Sequence, residues 1–134
     1  MIVQDITELS LEGVFDRGTP NLERVAIRAE ASLNMGCYGI MVGHVGPDGF
    51  MHPYHDNLFW FGDGIIRRND WIYIYTGEGT HQNSEIEGTT NKLFSLYWGR
   101  QSTCFASPAI APILFRVDAV ATVTQPKNLP QGQT

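Results

Sequence analysis

Apolar and polar residues alternate along short segments of this chain, which is typical of β-strands that place one face on a core. The clearest segment is Glu23 to Leu33, where Val25, Ile27 and the following odd-numbered residues are apolar. The residues between them are mostly polar. Ile113 to Val123 alternates in the same way. We predict a half-buried strand in each of these two segments.

Shorter apolar segments predict the remaining strands, at Asp5–Phe15, Cys37–Val42, Leu58–Phe61, Trp71–Tyr75 and Leu93–Trp98. Trp71–Tyr75 is apolar on both faces, which favours a central strand covered on two sides. We expect the tryptophans of these strands to fill the space between sheets and the tyrosines to face outward. No segment carries a capped apolar stripe of helical period, so the pattern predicts an all-β fold.

The number of strands and the turns between them limit the possible architectures. About seven to nine short, mostly antiparallel strands favour a two-sheet sandwich, with a partly open barrel as the alternative. Residues 1–124 are predicted to form one domain, and the segment 125–134, rich in Pro, Gln and Gly, a disordered tail. Residues 44–57 and 77–91 are polar and are predicted to be surface loops that contact a partner.

Composition then limits the class of protein. The 134 residues are 43% hydrophobic and 17% charged, with a formal net charge of −5, which argues against a nucleic-acid-binding function. The chain lacks a signal-peptide pattern and any apolar stretch long enough for a membrane span, so we expect a soluble cytoplasmic protein without membrane association. Cys37 and Cys104 lack CxxC spacing and are expected to be small buried side chains.

One cluster has the chemistry of metal ligands. His52, His55 and Asp56 could supply three ligands to zinc and leave a position for water, as in a metal-dependent hydrolase. Pro53 disfavours the helix that would align these side chains. We therefore interpret the segment as a polar binding loop and keep the hydrolase as the alternative.

Other catalytic sets are not indicated. The acidic residues lie in turn or loop contexts, Ser95 lies on a strand, and no GxSxG motif occurs. The sequence favours a binding role over catalysis, leaves the question of an enzyme open and indicates no cofactor. The candidate binding residues are His44, His52, Tyr54, His55, Glu78 and His81.

Several motifs follow one another in the order seen in a known family. They are Ile6–Gly13, Glu23–Arg28, Met35–Val42, Leu58–Gly64, Asn69–Gly77 and Leu96–Gly99. Together they resemble the lamin-tail domain, an immunoglobulin-like β-sandwich found at the tail of nuclear lamins and in many bacterial proteins. The resemblance implies an immunoglobulin-like fold, here as a stand-alone domain, with a non-catalytic role in binding and targeting.

The resulting hypothesis is an interaction module that binds a protein partner or its own copy through loops 44–57 and 77–91. A related hypothesis is an assembly protein whose aromatic strands add to a neighbour's sheet. The sequence leaves the oligomeric state open.

Overall fold

The computed structural model describes residues 5–124, and within them the chain is nearly all β. Its strands are β1 (Leu9–Phe15), β2 (Arg24–Ala29), β3 (Leu33–Asn34), β4 (Tyr38–Val45), β5 (Met51–Trp60), β6 (Ile65–Ile66), β7 (Trp71–Tyr75), β8 (Gln82–Glu85), β9 (Lys92–Tyr97) and β10 (Ile110–Arg116). A single 3-10 turn, Met35–Cys37, precedes β4. No helix in this part of the chain has the length and apolar character needed to cross a bilayer. The tail predicted at 125–134 lies outside the described residues.

The strands form three sheets, consistent with a β-sandwich. The five-stranded sheet has the order β1-β2-β7-β9-β8, and the three-stranded sheet has the order β10-β4-β5. The short strands β3 and β6 pair with each other. Neighbouring strands are antiparallel except β7 and β9, which are parallel. The all-β prediction is confirmed.

The core lies between the two larger sheets. The five-stranded sheet contributes Val25, Ile27, Ile72 and Ile74, all fully buried. The three-stranded sheet contributes the side chains of β4 at even-numbered positions, of which Ile40 is fully buried. The apolar positions of the alternation predicted for β2 are therefore the positions that fill this core.

The aromatic strand β7 lies in the middle of the five-stranded sheet, as the sequence predicts. Only one of its faces is buried, however, because Trp71, Tyr73 and Tyr75 lie on the outer face and remain half-buried. The guanidinium of Arg24 covers part of that face, 5.2 Å from the centroid of the Tyr73 ring. The expectation of a strand covered on two sides is wrong.

Two predicted loops contain strands. Residues 44–57 form most of the β4–β5 hairpin, because a turn at 46–50 pairs Val45 with Met51. Residues 77–91 contain β8, which pairs with β9 despite its polar sequence. The last strand also differs from its prediction, since β10 begins at Ile110 and ends at Arg116. In each case the pairing depends on the partner strand, and the local alternation of apolar and polar residues does not predict it.

Three buried-residue predictions also fail. Trp60 is 52% exposed, and Trp71 lies on the outer face of its sheet rather than between sheets. Cys37 is exposed, while Cys104 is half-buried. Trp98, by contrast, packs against the core as expected.

A buried carboxylate fixes one end of the sandwich. Glu23, at 1% exposure, accepts hydrogen bonds from the backbone N–H groups of Gly18, Cys104 and Phe105 and from the hydroxyl of Thr76. These donors lie in the β1–β2 loop, after β7 and in the β9–β10 loop. Glu23 therefore holds three loops of the same end together.

Candidate functional site

The three-stranded sheet has an apolar outer face. We define this outer face as the registered residues whose side chains point away from the core. They are Gly39, Met41, Gly43 and Val45 of β4, Met51, Pro53, Leu58 and Trp60 of β5, and Ala111, Ile113 and Phe115 of β10. Leu58 is 55% exposed and Trp60 52% exposed. The sheet is thus apolar on both faces, although only one of them packs on the core.

Two glycines of β4 shape the outer face. A Cβ atom on Gly39 would collide with the Phe115 ring, and one on Gly43 would lie 2.6 Å from Cδ1 of Ile113. Side chains of β10 therefore lie across β4 where β4 has no side chains of its own. The Trp60 indole donates from Nε1 to the carbonyl oxygen of Gly36 at 2.7 Å. This bond satisfies the polar edge of the indole and leaves an apolar ring at the surface.

A groove extends the outer face beyond β10. It has a volume of about 920 Å³ and runs between the start of β1 and the outer side of β10. Ile6 and Leu11 form one wall, and Ile113 and Phe115 form part of the other. Most of its lining is apolar, and its charged lining residues are Asp5, Arg116 and Asp118.

Next to this groove, three polar side chains form a hydrogen-bonded triad, Glu8, Tyr38 and Arg116. Glu8 accepts a hydrogen bond from the Tyr38 hydroxyl at 2.6 Å and one from the Arg116 guanidinium at 2.9 Å. The Tyr38 hydrogen bond, together with the Arg116 contact, lowers the pKa of Glu8 to about 2. Burial and the same hydrogen bond raise the pKa of Tyr38 to about 12. The triad joins β10 to the segment before β1 and closes this side of the sandwich.

The tip of the β4–β5 hairpin carries part of the predicted binding set. The rings of His44 and His52 stack with centroids 5.4 Å apart, and the Tyr54 ring lies 5.2 Å from that of His44. His52 Nε2 lies 3.2 Å from a carboxylate oxygen of Asp48. The backbone N–H of Phe50, and then His52, lower the pKa of Asp48. The structure therefore brings three predicted residues together and adds Asp48.

The proposed metal ligands are arranged differently. Residues 54–57 lie in an irregularity of β5, where the pairing shifts between Met41 and Gly43. His55 and Asp56 are exposed there, while His52 is paired opposite His44. Among residues 5–124, no group of three or more His, Cys, Asp or Glu side chains is placed to hold a metal ion.

The two remaining predicted residues lie elsewhere. His81 accepts a hydrogen bond from the backbone N–H of Tyr97 at 3.0 Å and packs edge-on against Phe59. Its ring thus connects the edges of the two larger sheets. Glu78 is exposed at the rim of a separate pocket at the loop end of the sandwich. The predicted binding residues therefore occupy three separate places.

That separate pocket, which we call the end pocket, has a volume of about 290 Å³. It lies between Pro20 and Asn21, residues 76–78, and residues 100–103. The half-buried side chain of Arg100 lines it, 5.4 Å from the ring centroid of Trp98. Burial raises the pKa of the neighbouring Cys104 thiol, against the effect of Arg100, so this cysteine stays protonated at neutral pH.

One of the acidic residues in the turns, Asp70, has the structural role expected of it. Asp70 is buried and accepts hydrogen bonds from the backbone N–H groups of Arg67 and Lys92. It thereby closes the turn before β7 and fixes the start of β9. This is the hydrogen bonding to turn amides that its sequence context predicts.

Sequence reasoning missed the outer face and Arg100. The signal for the outer face was present in Gly39–Val45, where odd and even positions are both apolar apart from His44. That signal needed the register with Leu58 and Ile113 to become a surface. Arg100 had no local signal, because three loops distant in sequence form its pocket.

No model of a known protein family matches this chain, and a comparison with curated proteins gives no significant match.

Proposed function

We propose that this chain is a non-catalytic interaction module, an immunoglobulin-like sandwich of the lamin-tail type, that self-associates through the outer face. The second copy of the chain is the occupant of that face. The observation that carries the proposal is that every registered residue of the outer face is apolar. Contiguous exposed apolar surface on a protein usually marks an interaction site.

A second copy fits this surface for an electrostatic reason. Each chain has a formal net charge of −5, so two copies repel one another at most approach angles. The outer face carries no charged registered residue, and two copies can meet there with little added repulsion. A face that is neutral and apolar also complements itself, as a two-fold interface requires.

The geometry of sheets supports the same arrangement. Two sheets pack face to face about 10 Å apart, with side chains from both faces interdigitating. Leu58, Trp60 and Met41 project from the outer face, and Gly39 and Gly43 lower it along β4. The projecting side chains of a facing copy could thus pack into the shallow region along β4, and the same holds in the opposite direction.

The size of the outer face determines how strong we expect the self-association to be. Three strands span roughly 14 Å, and β4 from Gly39 to Val45 covers about 20 Å. The flat footprint is thus about 280 Å², well below the area of about 800 Å² per partner that specific interfaces bury. We therefore expect a weak, reversible dimer with a dissociation constant in the upper micromolar range. The hairpin 44–57 belongs to this proposed interface, and the segment 77–91 does not.

The test is the mass in solution as a function of concentration. Sedimentation equilibrium from about 5 µM to about 500 µM spans the expected dissociation constant. We expect the wild-type chain to dimerise and Leu58→Glu to stay monomeric, because a buried unpaired carboxylate opposes association. Circular dichroism verifies that the variant, changed at an exposed position, keeps its fold.

The matched control is Leu22→Glu. Leu22 is 51% exposed and lies in the loop before β2, away from the three-stranded sheet. This variant has the same charge change and should dimerise like the wild type. A wild-type chain that remains monomeric at the highest concentration overturns self-association, even if it binds another protein. Equal dissociation of both variants overturns the assignment of the interface.

A further inference from the structure

The end pocket contains a cation that lacks an anionic partner. Arg100 forms no ion pair with a carboxylate of residues 5–124, although Asp and Glu outnumber Lys and Arg in the chain. Its Nε atom is buried and has no hydrogen-bond partner in the described part of the chain. This nitrogen is closed to solvent, as are the unpaired Nε of Arg24 and Nδ1 of His44, so a ligand in the pocket cannot reach it. The terminal nitrogens of the Arg100 guanidinium form no ion pair among residues 5–124 and are the donors that such a ligand can reach.

The ring of Trp98 supports Arg100 from one side. The guanidinium carbon lies 5.4 Å from the ring centroid, a cation–π contact that limits the motion of the side chain. The backbone N–H of Arg100 also donates to the carbonyl oxygen of Thr76 at 2.9 Å. The guanidinium is therefore held at the pocket instead of extending freely into water.

The loop after Arg100 adds hydrogen-bond donors. The backbone N–H groups of Gln101, Ser102 and Thr103 take part in none of the hydrogen bonds among residues 5–124. All three residues line the end pocket. A fixed guanidinium beside unpaired amide donors is the chemistry that recognises an oxyanion.

The charged groups around the end pocket favour one kind of oxyanion over another. Glu78 lines the rim of the pocket, and the carboxylate of Glu23 lies behind its wall, bonded to Thr76 and Cys104. Two negative groups near a single cation oppose a doubly charged phosphate more than a singly charged carboxylate. The volume of about 290 Å³ suits a group of a few heavy atoms.

We infer that the end pocket is a binding site for a singly charged carboxylate, held by Arg100 and the amides of residues 101–103. The carboxylate can come from a short free acid or from the C-terminus of a peptide. This inference concerns the loop end of the sandwich and is independent of self-association through the outer face.

The experiment is a titration of the full chain, labelled with ¹⁵N, followed by amide chemical shifts. Propionate represents a free acid, and N-acetylglycine represents a peptide C-terminus. Inorganic phosphate and N-acetylglycinamide are the comparison ligands. We expect saturable shifts at residues 77–78 and 100–103 with at least one carboxylate, and weaker or no binding of the amide and of phosphate. Tighter binding of N-acetylglycine identifies a peptide C-terminus as the source, and tighter binding of propionate identifies a free acid.

Three variants test the residues. Arg100→Gln should weaken carboxylate binding at least tenfold, since it removes the charge-assisted hydrogen bonds. Arg68→Gln makes the same charge change at an exposed position outside the pocket and should leave binding unchanged. Glu78→Gln should tighten binding, because it removes a negative group from the rim.

The inference is overturned if no carboxylate gives saturable shifts at these residues. It is also overturned if the shifts persist at full size in Arg100→Gln, or if the uncharged amide binds as well as the acid. The amide spectrum of each variant reports its fold in the same measurement, so lost binding is distinguished from unfolding.

Discussion

At the scale of single residues, the most consequential side chain is a buried carboxylate bound by uncharged hydrogen-bond donors. Glu23 is buried, and four donors from three loops converge on its two oxygens. Three of the donors are backbone N–H groups, and their hydrogen bonds are buried at Phe105 and partly buried at Gly18 and Cys104. Losing this carboxylate would therefore leave several unpaired donors at once.

We expect Glu23→Gln to destabilise the chain by about 2–3 kcal/mol, because its amide NH₂ would face backbone N–H donors. Urea unfolding followed by tryptophan fluorescence measures the change in the free energy of unfolding. Glu30→Gln is the control, because Glu30 forms an ion pair with Arg28 at the surface. That change should cost less than about 1 kcal/mol. Equal effects of the two variants would contradict the role given to Glu23.

Glu8 makes stability depend on pH. Its pKa in the folded chain is lowered to about 2, from an ordinary value of 4.5, chiefly by the Tyr38 hydrogen bond. The associated stability is complete above pH 4.5 and is lost as the pH falls toward 2. Allowing for partial solvent screening, the loss amounts to about 2 kcal/mol.

Urea unfolding at a series of pH values measures this loss. Glu8→Gln should be less stable than the wild type at neutral pH and should approach it at low pH, because protonation removes the same charge from the wild type. Parallel stability curves for the two proteins between pH 5 and about 2 would contradict this linkage.

At the scale of elements, β4 packs closely against other parts of the chain on both of its faces. Its even-numbered residues fill the core, and Gly39 and Gly43 admit side chains of β10 across its outer side. Glycine usually weakens a strand, so its presence twice in β4 requires a steric reason. Phe115 and Ile113 supply that reason.

Gly39→Ala should destabilise the chain by about 1–3 kcal/mol, because the new methyl group would overlap the Phe115 ring and the Phe59 carbonyl oxygen. Thermal unfolding monitored by circular dichroism measures the effect. The control is Gly77→Ala, where a Cβ would lie 3.5 Å from its nearest neighbour, an ordinary contact. If Gly39→Ala is as stable as that control, the packing of Phe115 on β4 is not tight.

Sequence alone predicts the elements that have at least one apolar face. β2 was predicted because its apolar residues, such as Val25 and Ile27, recur with period two, and β7 was predicted because Trp71–Tyr75 is apolar throughout. β8 was not predicted, because Gln82–Glu85 is polar and pairs only through the backbone of β9. The first half of β5 was not predicted either, since His52 and Pro53 resemble a loop until β4 supplies a partner. Long-range pairing leaves no local trace in such segments.

At the scale of the whole molecule, the candidate surfaces lie on different parts of the sandwich. The outer face covers one sheet, and the end pocket lies where three loops meet. Sequence reasoning predicted residues 44–57 as a loop that contacts a partner, but it could not assemble either surface. Both depend on residues far apart in the chain, such as Trp60 with Phe115, or Asn21 with Arg100.

Self-association through an uncharged face should resist salt. Raising NaCl from about 50 mM to about 500 mM screens the repulsion between two chains of net charge −5, while the apolar contact does not weaken. We expect the dissociation constant of the dimer to stay constant or fall over this range. Sedimentation equilibrium at each salt concentration measures it. A dissociation constant that rises severalfold would indicate an interface built on charge pairs.

The order of the three-stranded sheet also has a consequence for how the chain is synthesised. β4 lies between β5, its neighbour in sequence, and β10, which is the last strand of residues 5–124 to be synthesised. Until Ile110–Arg116 emerges, one edge of β4 has unpaired backbone groups, and its apolar residues lack the cover of Phe115 and Ile113. The nascent chain thus exposes an open, apolar strand edge from the synthesis of β4 until that of β10. A chain interrupted before residue 110 would keep that edge permanently and would be prone to aggregation.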